Sequence, residues 1–496
     1  MPVKKVIIAG GGTAGWVAAA ALGKQLGRLV EVTLVESEEI GTIGVGESTV
    51  PTAHTFHSLI GIDEREFVCD NQAAFKLGIG FENWAREGDH YFHSFGILGR
   101  STWMADFHHY WLDAAARGLA GEIGEYCLEF QAALAERFQT GAGLNYAYHL
   151  DASLYARFLR RLSEAAGVRR IEGRIERVEQ NGESGFIEAL VLASGERIEG
   201  DLFIDCTGFR SVLLGGTLGV EFQDWSHWLP TDRALPAQTR SVGPAVPYTK
   251  AIAHKAGWRW RIPLQHRVGN GFVYASEFMS DEDALAQSQA SLEGEVLFQP
   301  GLIRFKAGGR RNVWEKNVIG LGLSTGFIEP LESTSIHLIQ VAVTRLMQCF
   351  PFGGIHPGVV ERFNRRSTAE LEHIRDFIIM HYHLTERDDS EFWRYCRNMS
   401  IPDTLAERLA LFGEDGQAWQ GTDELFRIDS WVQVMLGQRL RPRNWHHVAR
   451  EMPDAQLKEA LRSLKANVDA ALAKLPQQQA FLDGFCPGGG DRMAKA

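Results

Sequence analysis

Residues 6–23 constrain this chain more than any other stretch: they read VIIAGGGTAGWVAAAALG. An apolar run over 3–9 (VKKVIIA) meets Gly10, and an alanine-rich run over 14–26 follows. Gly10-x-Gly12-x-x-Gly15 therefore falls between a predicted strand and a predicted helix, and EVTLVE over Glu31–Glu36 supplies a second strand ending in an acid. That order is the opening β-α-β of a doubly wound parallel sheet that holds a dinucleotide. Gly10 permits the tight turn, Gly12 lets the backbone approach a pyrophosphate, and Gly15 lets the helix close on the sheet. The helix start at Thr13 and Ala14 offers free N–H groups to phosphate. Glu36 is placed to accept from ribose hydroxyls, where an NADP site would prefer a cation. The glycines alone do not choose between FAD and NAD.

The same stretch follows Lys4-Lys5 and is uncharged, as a signal peptide would be. Three adjacent glycines, Gly10 to Gly12, would break such an apolar helix in its middle. No other uncharged run approaches the ~20 residues of a membrane span. With 51 Lys+Arg against 62 Asp+Glu the net charge is −11, a field that repels phosphate backbones and anionic lipid. Nucleic acid and membrane are not expected partners. The six cysteines form no CxxC and no zinc or disulfide framework, so no metal and a reducing cytoplasm are expected. At 496 residues, 45% of them hydrophobic, the chain has ample material for a large core.

Downstream, residues 63–76 read as helical, then LGIGFENW leads to the aromatic segment DHYFHSFG. Residues 146–165 carry a helical pattern, and 169–205 alternate as strands that return to the first sheet. Residues 240–320 read as a β-rich layer, followed by an amphipathic helix over 336–350 that Pro351 stops. From Val359 onward the pattern is mostly helical. The expected domains are a discontinuous α/β body over 1–350 and a helical C-terminal cap over 351–496, with a frayed Pro/Gly-rich tail after Phe485.

The segment GDLFIDCTGFRS, with its strand ending at Cys206-Thr207-Gly208, resembles the return of the chain under the adenosine half of FAD in flavoproteins with two dinucleotide-binding domains. Further on, Glu332-Ser333-Thr334-Ser335 leads through hydroxyl residues into an apolar helix. A positively polarised helix start binds anions without Lys or Arg. Ordinary capping by Ser and Thr explains the same residues, and both readings stand at this point.

Four elements together resemble the flavin-dependent halogenases typified by the tryptophan halogenases. They are the glycine turn, Ala74-Phe75-Lys76-Leu-Gly-Ile-Gly-Phe-Glu-Asn-Trp84, the W-x-W-x-I-P element Trp258-Arg-Trp260-Arg-Ile262-Pro263, and Pro330-Leu-Glu-Ser-Thr334. The segment VGESTVPT and, more loosely, DFIIMHYHLTERDDSEFW extend the likeness over most of the chain. The resemblance implies a glutathione-reductase-like FAD fold with a β-rich substrate layer and a helical cap. It places FAD against Gly10, Gly12, Thr13, Ala14, Gly15, Glu36, Gly46, Glu47, Ser48, Val178, Thr207, Gly208, Leu323 and Ile336. FADH2 from a separate reductase, O2 and bromide or chloride would yield hypohalous acid.

The same resemblance puts the halide at the Thr334–Ser335 amides and makes Lys76 the residue that captures the electrophilic halogen. Glu332 becomes the paired carboxylate beside an electron-rich arene, an indole or tryptophan-like compound. Read from composition alone, Lys76 would be a solvated helix lysine. His93 and Phe95 would stack on the arene, while core packing explains their pattern equally well. Trp258 and Trp260, with Ile262 and Pro263, would line the tunnel and keep substrate from the flavin. Family members also allow a homodimer. Ser335 stands where tryptophan halogenases carry Gly, and the C-terminal third offers no match for the part that grips a free amino acid. An FAD-dependent aromatic hydroxylase and a non-catalytic flavin-binding protein are the alternatives, the first disfavoured by the paired tryptophans and PLEST, the second by an intact Lys76 and Glu332.

Overall fold

The computed structural model describes residues 2–40, 46–299 and 301–487; Val45 of the VGESTVPT segment and most of the Pro/Gly-rich tail lie outside them. The chain divides into two compact units, each of three segments. One comprises Met1–Ala73, Leu150–Arg233 and Pro300–Glu372, and the other Ala74–His149, Ala234–Gln299 and His373–Ala496. These units cut across the expected division at residue 350. Their last boundary falls inside the helix Pro357–His383.

The first unit is built on a six-stranded sheet in the order Trp314–Glu315, Val318–Gly320, Leu202–Asp205, Lys5–Ala9, Glu31–Glu36, Arg169–Glu172. Neighbouring strands from Val318–Gly320 to Arg169–Glu172 run parallel. Val6, Ile8 and Leu34 are fully buried, as near-continuous apolar runs must be when helices cover both faces. The helix Thr13–Leu26 connects the first two strands, and its residues 15–23 are all buried. The helix Ala152–Ala165 is capped by Asp151, whose carboxylate accepts from the Ser153 and Leu154 amides at 2.9 and 3.1 Å. A three-stranded antiparallel sheet, Ile175–Gln180, Ile187–Leu192 and Arg197–Glu199, packs its apolar side into a cluster with Ile7, Phe203 and Leu213. This is a doubly wound α/β fold.

The second unit carries the β-rich layer. Its strands follow the order Val296–Phe298, Arg233–Thr239, Val268–Tyr274, Gly257–Pro263, Thr249–His254, Gly78–Glu82, His90–Ser94. A helix that the sequence reading missed, Asp281–Ala290, interrupts the layer; Ser280 caps it by accepting from the Asp283 amide at 3.1 Å. The five helices Glu391–Asn398, Asp403–Asp415, Ile428–Gly437, Asp454–Leu472 and Gln478–Phe485 match the helical C-terminal expectation, though they share one unit with the sheet.

Two local expectations are corrected. The helix expected over 63–76 ends at Asp70, and Ala74–Lys76 is a strand. Gln72 has a positive φ of 49°, which breaks the helix. The expected helical run from 146 begins as the strand Ala147–Asp151, the partner of Ala74–Lys76 in an antiparallel pair that sets Lys76 opposite Ala147. Among the described residues no helix is long and apolar enough to cross a membrane. Among the described residues Cys127, Cys206, Cys349 and Cys396 are free thiols.

Candidate active site

The glycine turn discriminates between packing and ligand roles position by position. Gly10 has φ +109°, and a Cβ there would lie 2.3 Å from the Cys206 carbonyl oxygen. A Cβ on Gly15 would lie 1.9 Å from the Gly10 oxygen. Both glycines are required by the polypeptide itself, because strand and helix touch through them. Gly12 differs. Its backbone is ordinary, φ −73°, and a Cβ there would meet nothing within 4 Å. Gly12 also precedes the helix without any side-chain cap, so no capping side chain occupies the first-turn amides of Thr13 and Ala14. A cradle that protein atoms do not fill, at an uncapped helix start, fits the pyrophosphate of FAD.

Glu36 ends its strand beside this turn, and the Arg170 Nε donates to its Oε1 at 2.5 Å. The sequence reading missed this arginine, which lies 134 positions away. Asp205 is a second omission. Fully buried at the end of Leu202–Asp205, it accepts from the Thr207 amide and hydroxyl at 3.0 and 2.6 Å and from the Leu213 and Leu214 amides at 2.9 and 2.8 Å. Those bonds fix the Thr207-Gly208 turn next to the glycine loop. An acid closing an apolar strand, LFID, was its signal in the sequence. Val178 packs against the neighbouring apolar cluster. Leu323 is partly exposed and Ile336 is buried.

Gly46, Glu47 and Ser48 form a short strand. Burial, aided by the nearby Asp151 charge, raises the Glu47 carboxyl from its ordinary 4.5 to about 7. Its folded-state value lies above the unfolded one, so the group costs no stability below about 4.5 and an increasing amount up to about 7. Glu47→Gln is expected to raise the Tm of the flavin-free protein by a few degrees at pH 8 and to leave it unchanged at pH 4. Paired thermal melts at the two pH values check this.

The candidate halide site begins after Pro330–Glu332, a single helical turn with Glu332 buried. Ser333 follows in the left-handed region, φ 61°. Thr334 then precedes the fourteen-residue helix Ser335–Gln348 and makes no side-chain cap. The capping explanation for this hydroxyl run is therefore not realised at Thr334, and the amides at the helix start stay available to an anion.

In the other unit Lys76 is fully buried, on a strand and not on a solvated helix. Its Nζ lies over the Phe95 ring, 5.3 Å from the centroid. His149, opposite Ala74 on the paired strand, meets the Thr249 hydroxyl through Nε2 at 2.9 Å. Burial first and the Lys76 charge second hold His149 well below the usual imidazole range, while a hydrogen bond with the Pro263 carbonyl opposes them. The imidazole beside the lysine is thus neutral. Neither His149 nor Thr249 was singled out from the sequence.

His93 and Phe95 lie 6.5 Å apart edge to face. His93 also meets Phe377 and Phe426 at 5.4 and 6.0 Å, and those two stack at 3.7 Å. Trp258, Trp260 and Ile262 alternate along Gly257–Pro263 and are buried, as is Pro263, with Arg259 and Arg261 on the opposite face. The two indoles are 5.9 Å apart, and among the described residues neither indole N–H has a hydrogen-bond partner. Trp84 tilts against Trp258 at 6.4 Å and donates to the Ala251 carbonyl at 3.0 Å. The structure thus groups Lys76, His93, Phe95, Trp258 and Trp260 in one unit, and the glycine turn, Glu332, Thr334 and Ser335 in the other.

An unfilled glycine cradle on a doubly wound sheet, beside a turn fixed by Asp205, is the geometry of a dinucleotide-binding protein. The family model described as tryptophan halogenase matches residues 5–454. A solved flavin-dependent halogenase from Xanthomonas campestris, Xcc4156, is 54% identical, with 98% of this chain and 99% of that one covered and a TM-score of 0.97. BrvH, a flavin-dependent halogenase from Brevundimonas sp. BAL3, is 40% identical over 98% and 99% of the two chains with a TM-score of 0.94. The tryptophan 7-halogenase RebH of Lentzea aerocolonigenes is 34% identical over 97% of this chain and 98% of its own. The chain belongs to the tryptophan halogenase family and is a flavin-dependent halogenase. It works with FADH2, halide and an aromatic substrate, and depends on a separate flavin reductase.

Proposed function

We propose that the protein halogenates an indole that carries no amino-acid side chain, with Lys76 presenting the halogen and Glu332 taking the arene proton. The observation that carries this reading is a lysine with no exposure, set against an aromatic ring and followed by an aromatic wall. Bound FADH2 would activate O2, the oxidant that turns halide into hypohalous acid, with the second oxygen atom leaving as water. The Lys76 ammonium donates a hydrogen bond to the oxygen of that acid, which polarises the O–X bond. An arene held by His93 and Phe95 attacks the halogen, the C–X bond forms, and the O–X bond breaks. The ring proton passes to the Glu332 carboxylate, while the hydroxide takes a proton from the Lys76 ammonium and leaves as water; the proton on Glu332 then restores the ammonium. Orientation matters because free hypohalous acid is indiscriminate, and walls that hold one carbon in reach make the product selective. Trp258 and Trp260 keep that arene from the flavin in this scheme, and the Thr334–Ser335 amides hold the halide.

Free indole is favoured over tryptophan by the pairing of charges on the aromatic wall. The Arg408 guanidinium donates to Glu424 at 2.7 Å and lies 4.0 Å from the Trp431 ring centroid. Arg427 donates to the Phe95 carbonyl at 2.8 Å. Groups already paired within the protein are poor receptors for a substrate ammonium or carboxylate, which would have to displace those bonds. The test supplies FADH2 through a reductase and NADH, with O2, bromide or chloride, and equal concentrations of indole and tryptophan. Mass spectrometry is expected to show the halogen isotope pattern on indole at least about 10-fold faster. Hydroxylated product would support the hydroxylase reading, and faster turnover of tryptophan would overturn the substrate assignment.

A further inference from the structure

Two hydrogen bonds tie the start of the helix Ser335–Gln348 to residues 48–52. The Ser48 and Ser333 hydroxyls are 2.6 Å apart, and the Thr52 hydroxyl lies 2.8 Å from His337 Nδ1. Both pairs are separated by 285 positions. Equal offsets mean that the two segments run side by side in the same direction, joined by two rungs four residues apart. One rung lies just before Thr334 and Ser335, and the other just after them.

The second rung is braced from behind. His337 is buried, and its Nε2 lies 3.4 Å from Glu370 Oε1. Arg345, about two helical turns further along, donates through Nη2 to Glu370 Oε2 at 2.9 Å and through Nη1 to the Ser367 hydroxyl at 2.6 Å. Burial alone would push Glu370 upward, but its His337 and Arg345 partners hold it below the usual carboxylate range. The carboxylate therefore stays charged and keeps both partners in place. His337 thus sits between a hydrogen bond at Nδ1 and a carboxylate that faces Nε2 without a hydrogen bond, and the Nδ1 contact holds the direction in which the helix start points. An anion held only by backbone amides and a helix dipole depends on that direction, because the donors are not side chains that can follow it.

We propose that His337, held between Thr52 and the Glu370–Arg345 pair, is a positioning residue that sets halide affinity at the Thr334–Ser335 amides. The inference rests on those amides being the halide site. Thr52→Val removes the rung and keeps the side-chain shape, and Thr52→Ser keeps the hydroxyl. In steady-state assays with bromide varied at saturating indole, Thr52→Val is expected to raise the bromide KM about fivefold, the factor that one lost hydrogen bond gives. Its kcat at saturating bromide and its indole KM should stay within about twofold of wild type, and Thr52→Ser should hold the wild-type bromide KM. A second readout avoids turnover: bromide alone is titrated against the thermal midpoint of the flavin-free protein, and the midpoint concentration should rise by the same factor in Thr52→Val. A bromide KM unchanged in folded Thr52→Val overturns the proposal, as does a joint change of bromide KM, indole KM and kcat. Should Thr52→Val not fold, His337→Asn against His337→Leu makes the same comparison, since asparagine keeps a polar atom toward Thr52. A wild-type protein that yields no halogenated product with either halide would instead overturn the function proposed above, and this inference with it.

Discussion

Gly12→Val is expected to leave the protein folded and to abolish its flavin. At most positions in a glycine-rich turn the two effects cannot be separated, because the same side chain that blocks a ligand also strains the backbone. Gly12 separates them. Its φ of −73° is open to valine, and no protein atom lies within 4 Å of a Cβ placed there. The thermal midpoint of the flavin-free variant should lie within about 2 °C of wild type, as for a substitution that touches nothing. Affinity for FAD should fall by at least about 100-fold, since the side chain occupies the space at the uncapped helix start where a diphosphate would sit. Gly15→Val is the contrast: its Cβ would press on the Gly10 oxygen, so it should lose stability and flavin together. Equilibrium titration of FAD with parallel melts measures both. Retained flavin affinity in Gly12→Val would mean that the diphosphate is bound elsewhere.

Lys76→Met should retain flavin and lose halogenation. The substitution keeps an unbranched side chain of similar length in a fully buried site and removes only the ammonium. If the lysine polarises hypohalous acid, product formation falls about 10²- to 10³-fold while FADH2 oxidation continues, releasing oxidant unproductively. His149 supplies a readout independent of catalysis. Part of its depression comes from the Lys76 charge, so its titration, followed by NMR, should move upward in the variant. A shifted His149 with normal halogenation would show that the lysine is only a neighbour in the packing.

The sequence made the glycine turn readable because everything it needs is local. Gly10, Gly12, Gly15 and the two strands beside them lie within about 30 residues, the length of one β-α-β unit. Lys76 shows the opposite case. Its strand exists because it pairs with Ala147–Asp151, some 70 positions away, and nothing between 63 and 76 announces that partner. The apolar pattern of the helix Glu64–Asp70 simply ran on. Glu36 was placed correctly at the end of its strand, yet its Arg170 partner comes from a strand far along the chain. Asp205 was visible as a residue type but not as a hub, because the amides it accepts from gather only when Val212–Thr217 coils back over it. The W-x-W-x-I-P element and PLEST were found by resemblance. Period-two alternation on Gly257–Pro263 indicates a strand face, and chemistry enters only with the neighbours.

The interleaving of the two units also sets the order in which the protein can be completed during synthesis. One unit has its last segment once Glu372 has emerged, whereas the other cannot close until its residues beyond His373 follow. Its strands at Gly78–Glu82 and Thr249–His254 pair across some 170 positions, so the layer that carries Lys76 and the tryptophans must wait for distant chain. Non-local pairing of this kind slows folding and leaves apolar strands exposed in the interval. The unit that carries the glycine turn can therefore be completed before the layer that carries Lys76, and a ligand bound to the earlier unit would stabilise it while the remainder of the chain arrives.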